Sequence, residues 1–134
     1  MPYCEFNKEV LVGIQSIDQE HKKFSDLLNL IHHDILEADK PSIMKHFHEL
    51  LKDTETHFID EEKLMKETNF LGYISHKLEH DRFYSQNKKL LDDYIEGKSV
   101  IGLEQLKGVR RWFYNHIEIN DRKCAQYLIE KGYS

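Results

Sequence analysis

Nine histidines and 24 acidic residues stand in a chain of 134, and seven of these residues recur at spacings that suit metal binding. His57 and Glu61 are four apart, as are His76 and His80, so each pair projects from one side of a helix. His21 stands three before Phe24 and seven before Leu28, extending an apolar stripe. His116 stands three after Phe113 and seven after Val109, and Asp121 follows it by five. One histidine on an apolar face is ordinary. Four such placements at one level are not, because burying five imidazoles and two carboxylates without a metal costs several kcal/mol per unpaired charge. Seven donors are too many for one tetrahedral or octahedral ion, so two ions sharing the carboxylates are expected. Imidazole with bridging carboxylate and no thiolate favours iron, with zinc as the rival. If Glu61, Asp121 and a hydroxide bridge two irons, five histidines divide three and two. One iron is then six-coordinate, and the other keeps a vacancy for a small ligand such as dioxygen. A histidine-rich set carries less negative charge than the carboxylate-rich sites of di-iron oxygenases, which favours reversible binding over O–O cleavage.

Four helices are needed to position these groups. The first has Asp18 as expected N-cap and a stripe of Phe24, Leu27, Leu28, Ile31 and Ile35, ending near residues 38–40. Pro41 opens the second, which carries Met44, Phe47, Leu50, Leu51, Phe58, Leu64 and Met65. After a break at 69–72, the third carries Leu78, Phe83, Leu90, Leu91 and Tyr94 and stops before Gly97. Ser99 is the expected cap of the fourth, with Leu103, Leu106, Val109, Phe113, Ile117 and Leu128. Short connections favour antiparallel neighbours. The expected fold is all-α, an antiparallel up-down-up-down four-helix bundle forming one domain over residues 1–134. Residues 1–17 form an N-terminal arm and 18–131 the bundle. Antiparallel packing brings His21, His57, Glu61, His76, His80, His116 and Asp121 to one end.

Composition excludes other classes. Six Gly and two Pro argue against a turn-rich sheet protein, and 32% charged residues argue against a membrane span. The net charge of −5 removes a broad electrostatic case for nucleic acid. The first residues lack a charged start followed by an apolar core, so a cytoplasmic location is expected. Cys4 and Cys124 are too few for a disulfide framework and read as reduced thiols.

The pattern resembles the hemerythrins in their bacterial single-domain form. It is carried by Gly13-Ile14, Ile17-Asp18, His21-Lys22, then His57-Phe58 with Glu61-Glu62 and Leu64-Met65, then His76 and His80, then Trp112, His116-Ile117 and Asp121. The resemblance implies two non-haem iron ions per chain with an oxo or hydroxo bridge, and dioxygen as a reversible ligand. It assigns His76, His80 and His116 to the closed iron, His21 and His57 to the open one, and Glu61 and Asp121 to the bridges. It gives Phe24, Phe58, Trp112, Phe113 and Ile119 as pocket-lining residues, with no catalytic residue. The step from His116 to Asp121 is taken from the family. On a plain α-helical wheel residues five apart lie about 140° from each other, and Asn120 would be the expected partner. The chain departs from the family with Phe6 for a tryptophan in the arm, no proline ahead of His76, and Phe113 for a leucine after the tryptophan.

The implied role is oxygen carriage, storage or delivery, with dioxygen and an oxygen-consuming enzyme as partners and a monomer or weak oligomer as the assembly. The alternatives are a peroxidase, ferroxidase or NO-handling enzyme, or an oxygen or redox sensor. His32 lies eleven residues after His21, and His46 eleven before His57. Eleven residues are close to three turns, so these two, with Asn87 and Gln105, are expected to form a polar inner layer at the far end, hydrated or holding an accessory metal. His33 and His48 read as surface residues.

Overall fold

The computed structural model describes residues 2–134. Its helices are α1 (Gln15–Leu36), α2 (Lys40–Glu67), α3 (Tyr73–Ile95), α4 (Leu103–His116) and α5 (Arg122–Glu130). A π-helical turn, Ile117–Asp121, joins α4 to α5 without a break in helical backbone, so four helical rods result. They form an antiparallel four-helix bundle in which α1 packs on α2 and α4, and α2 packs on α3. No described helix is long and apolar enough to cross a membrane.

Each rod buries one stripe at helical spacing. In α2 it runs Ile43, Phe47, Leu50, Leu51, Thr54, Phe58, Glu61 and Met65; in α3 it runs His76, His80, Phe83, Asn87 and Leu91. Phe47, Leu28, Ile31, Leu50, Leu106 and Leu128 are fully enclosed. Met44, Leu78 and Leu103, expected on these stripes, are exposed instead. Met44 is one residue past the inward Ile43, and Leu78 is two past His76, about 200° around the helix. Leu103 is the first residue of α4, at the end of the bundle.

All four rods stop in the same way. The backbone N–H groups two and three residues past the helix return to carbonyls in its last turn: Ala38 to Ile35 and Asp39 to Asp34, Asn69 to Lys66 and Phe70 to Met65, Gly97 to Tyr94 and Lys98 to Asp93, Gly132 to Ile129 and Tyr133 to Leu128. This Schellman closure needs one left-handed residue. It is found at Ala38, Asn69, Gly97 and Gly132, with φ of 52°, 57°, 77° and 97°.

The starts differ from expectation. Asp39 caps α2 by accepting from Ser42 N–H. Asp18 does not cap α1, which begins at Gln15. Its carboxylate turns back to accept the N–H groups of Val12 (2.8 Å) and Gly13 (3.2 Å), fastening the arm to the helix. Ser99 caps nothing; the Gln105 side chain accepts the Gly102 N–H at the start of α4.

The arm is held along its length. Asn29 brackets Cys4, accepting its N–H at 2.7 Å and donating to its carbonyl at 3.0 Å, where Ser25 also donates. Tyr114 accepts from Glu5 N–H and donates to Glu5 carbonyl. Arg110 donates to the Tyr3 carbonyl and lies 4.1 Å over its ring.

The polar layer expected at the far end is not formed. His32 stacks on Tyr3 at 4.2 Å, and His46 pairs with the buried Asp34 at 2.5 Å. Asn87 donates to the Phe83 carbonyl, while Gln105 is used at its helix start. The period placed these residues correctly on their helices, but each found a nearer partner than the bundle axis. No candidate metal group involves them among the described residues. His33 and His48 are exposed.

The Asn29 bracket sets a first test. Asn29→Ala leaves the Cys4 N–H without its partner and its carbonyl with Ser25 alone, at a cost of about 1–3 kcal/mol. It should lower the denaturation midpoint accordingly and speed hydrogen exchange at the first residues of the arm. Unchanged exchange there would show that the bracket does not hold the arm.

Candidate metal centre

The site lies near one end of the bundle and draws on every rod. His21 comes from α1, His57 and Glu61 from α2, His76 and His80 from α3, and His116 and Asp121 from α4 and the π turn. All seven are buried or, for His57, nearly so. Their donor atoms form two groups that could hold a metal: Glu61, His76, His80, His116 and Asp121 in one, His21, His57, Glu61 and Asp121 in the other.

The two carboxylates belong to both groups, and each divides its oxygens between them. Glu61 Oε1 faces His76 Nε2 at 2.5 Å and His80 Nε2 at 3.5 Å, while its Oε2 faces His57 Nε2 at 3.3 Å. Asp121 Oδ1 faces His76 and His116 Nε2, each at 3.1 Å, while its Oδ2 faces His21 Nε2 at 3.0 Å.

The π turn explains the five-residue step from His116 to Asp121. Arg122 N–H reaches back five residues to the Ile117 carbonyl. This wider turn advances each residue by less than the roughly 100° of an α-helix, so the fifth residue returns to the face of the first. Both edges of His116 are then met by successive residues. Asp121 faces Nε2, and the Asn120 amide lies 3.1 Å from Nδ1, within reach of Glu79 as well. The same rotation turns Ile119 outward. It is 58% exposed and does not line the pocket, which corrects its expected role.

Outer partners fix other imidazoles. His57 Nδ1 is hydrogen-bonded to Glu20, and His80 Nδ1 to Glu62 at 2.9 Å. Ring stacking adds to this: Phe58 lies on His80 at 3.7 Å and Trp112 on His116 at 4.5 Å, both nearly parallel. Sequence reasoning left Glu20 and Glu62 without a role at the centre and offered Asn120 only as the plain-wheel alternative to Asp121. Glu20 and Glu62 reach their histidines from another helix, which no local spacing announces.

A cavity of about 120 Å³ opens beside the centre, lined by His21, His57, His116 and Asp121 but not by His76 or His80. Phe24, Phe58, Trp112 and Phe113 wall it together with Leu27, Leu50 and Thr54, and Glu20, Lys23, Asp53 and Thr56 form its polar part.

Without a cation the centre is held by protons. Burial disfavours the His57 imidazolium, but its hydrogen bond to Glu20 and the nearby Glu61 carboxylate prevail and raise its pKa to about 10. Burial likewise opposes the His76 cation, and Asp121 and Glu61 raise it to about 9. Burial, together with the charges of His76 and His116, pushes His80 down to about 2. Burial and the neighbouring Asp121 oppose ionisation of Glu61, yet His57 and His76 draw it down to about 2. Burial also opposes ionisation of Asp121, but the histidines around it hold it well below the usual carboxylate range. Cys124 is buried, and desolvation with the charges of Glu61 and Asp121 pushes its thiol far up, so it stays protonated.

The donor set fits a metal better than it fits protons. Both Glu61 oxygens, Asp121 Oδ1 and His76 Nε2 are buried without a hydrogen bond of proper geometry, although they face one another closely. Such atoms are costly to leave unpaired, and cations held among the two groups would meet all of them.

Fold and site together define an α-helical bundle with a buried histidine–carboxylate metal centre. Residues 12–128 match the hemerythrin HHE cation-binding domain, and the chain belongs to that family. It is 32% identical to a bacteriohemerythrin of Aquifex aeolicus, with 91% of this chain and 95% of the relative covered. It is 26% identical to one from Ralstonia nicotianae, with 98% and 93% covered. A wild-type hemerythrin crystal structure superposes with a TM-score of 0.83 at 25% identity, over 86% of this chain and 88% of that one. A hemerythrin variant in which a leucine is changed to tyrosine superposes at 0.92 over 96% and 98%, at 23% identity.

The proton-held state has a pH signature. An unfolded histidine releases its proton near pH 6.5, whereas folded metal-free His57 and His76 keep theirs until about 10 and about 9. Their stabilising contribution is therefore present in full below about pH 6.5 and is lost as pH rises through 9–10. The Tm of metal-free protein should fall over that interval, while metal-loaded protein, whose ligands have already given up these protons, stays flatter. A metal-free Tm that is level or rising from pH 6.5 to 10 would contradict the assignment.

Proposed function

We propose that the centre holds two non-haem iron ions and that the protein binds dioxygen reversibly. The division of each carboxylate between two histidine groups carries this reading. Two ions sharing Glu61 and Asp121 would use every oxygen where it already points, whereas one ion would leave a histidine group unused. His76, His80 and His116 would hold one ion and His21 and His57 the other. Imidazole and bridging carboxylate are a donor set that iron accepts. A ferrous pair supplies the two electrons that dioxygen takes on binding and returns on release.

The residues around the cavity support a binding role. Both histidines of the two-histidine group, His21 and His57, line it, against only His116 of the other three, so the two-histidine side is the one a small molecule meets more directly. Phe24, Leu27, Leu50, Phe58, Trp112 and Phe113 give that space an apolar wall, which admits an uncharged diatomic molecule and holds back water and anions. The polar residues Glu20, Lys23, Asp53 and Thr56 are the observation that favours the second reading, a di-iron enzyme of peroxidase, ferroxidase or NO-handling type. On that reading they would be the route by which water and protons enter.

Anaerobic reconstitution with ferrous iron, then air, then argon, separates the readings. Two irons per chain and a visible charge-transfer band that appears in air and vanishes under argon are expected. Irreversible oxidation with turnover of peroxide or NO would support the enzyme. Two zinc ions and no band would defeat both. His57→Ala removes a donor from the cavity side and should abolish the band; normal oxygen binding by this variant would overturn the assignment of that side.

A further inference from the structure

We propose that Glu20 is a positioning residue dedicated to one metal subsite, the one facing the cavity, where it acts through His57. The inference rests on the two-ion reading above. Of the two imidazoles in the cavity-facing group, only His57 has an outer hydrogen-bond partner, and that partner is the Glu20 carboxylate. His21 Nδ1 is buried with none among the described residues. The other group has its own support, from Glu62 on His80 and Asn120 on His116. Orientation of the cavity-facing side therefore depends on one contact.

The geometry of that contact follows from the chain. Glu20 and His21 are neighbours on α1, about 100° apart around the helix. One points into the centre, and the other leans across the seam to α2, where it meets the outer nitrogen of His57. One turn of α1 thus supplies a donor to the subsite and fixes the second donor in place. With Nδ1–H held by Glu20, the Nε2 lone pair of His57 is aimed at the side where Glu61 Oε2 lies, 3.3 Å away. A carboxylate in this position fixes the tautomer and strengthens the imidazole as a donor. Glu20 is also half-buried and lines the polar part of the cavity, so loss of its side chain would loosen the subsite where small molecules gain access.

Cobalt(II), followed by calorimetry and visible absorption, reports the two subsites separately in the full chain. Wild-type protein should take two ions. Glu20→Ala should weaken one of them by roughly 10–100-fold and leave the other unchanged. Glu20→Gln keeps an acceptor oxygen without the charge and should recover part of the loss. Glu62→Ala should weaken the other ion. In a His57→Ala background, Glu20→Ala should add nothing further, because its effect passes through that ring. The proposal is overturned if Glu20→Ala titrates like wild type, if both ions weaken alike, or if its effect adds to that of His57→Ala. Binding of a single ion by the wild type would overturn the two-ion reading, and this proposal with it.

Discussion

Two carboxylates shared among five imidazoles are the constraint on which the rest of the structure depends. Glu61 and Asp121 are 2% and 3% exposed and repel each other, so neither could stay ionised in a core without positive charge on several sides. The imidazoles that face them come from all four rods, which sets how the helices must align. His21 must stand level with His57, and His76 with His116. The centre therefore fixes the register of the bundle as much as the bundle positions the centre. The opposite end carries no such demand. There Leu28, Ile31, Phe47 and Leu106 pack fully enclosed, and burial of apolar surface holds the helices together whether or not the centre is loaded.

The π turn shows how a local irregularity meets a geometric demand that a regular helix cannot. A continuous α-helix from Leu103 to Glu130 would bring Asn120 back to the inner face after His116 and leave Asp121 turned aside. The one-residue widening lets both residues serve, Asp121 toward Nε2 and Asn120 toward Nδ1. It also sends Ile119 to solvent. π turns break the regular hydrogen-bond ladder and are found mostly where function requires them, and this one lies where the second shared carboxylate enters the centre.

Much of the architecture was legible because hydrophobic period and ligand spacing point the same way. The stripe Phe24, Leu28 and Ile31 includes His21, and the stripe Phe47, Leu51 and Phe58 includes Glu61, so one pattern locates both core and site. Legibility ended where partners come from elsewhere in the fold. The period brought His32 and His46 to the right height, but the arm placed Tyr3 over His32, and α1 offered Asp34 to His46. Asp18 has the chemistry of a cap, yet it serves the arm amides because the helix begins three residues earlier. The step from His116 to Asp121 came only from family likeness, since no feature of residues 117–120 announces a π turn. Glu20 shows in the sequence only as an acidic residue beside His21.

Two of the four aromatic walls of the cavity, Phe58 and Trp112, also clamp imidazoles of the centre. Phe58 lines the cavity while lying flat on His80, and Trp112 lines it while lying flat on His116. Phe83, stacked on Trp112 at 3.9 Å, backs that arrangement. A change at Phe58 or Trp112 therefore reshapes the pocket and frees an imidazole of the centre at once, so neither property can be adjusted alone. Phe113 differs. It meets His21 only edge-on, at 5.8 Å, and stacks instead on Phe24 at 4.3 Å. It borders the cavity without lying flat on any imidazole of the centre. The size of the residue there can vary with little effect on the imidazoles, and this chain carries a large one. The position just after the tryptophan is thus where the fold leaves the pocket adjustable, and the tryptophan itself is where it does not.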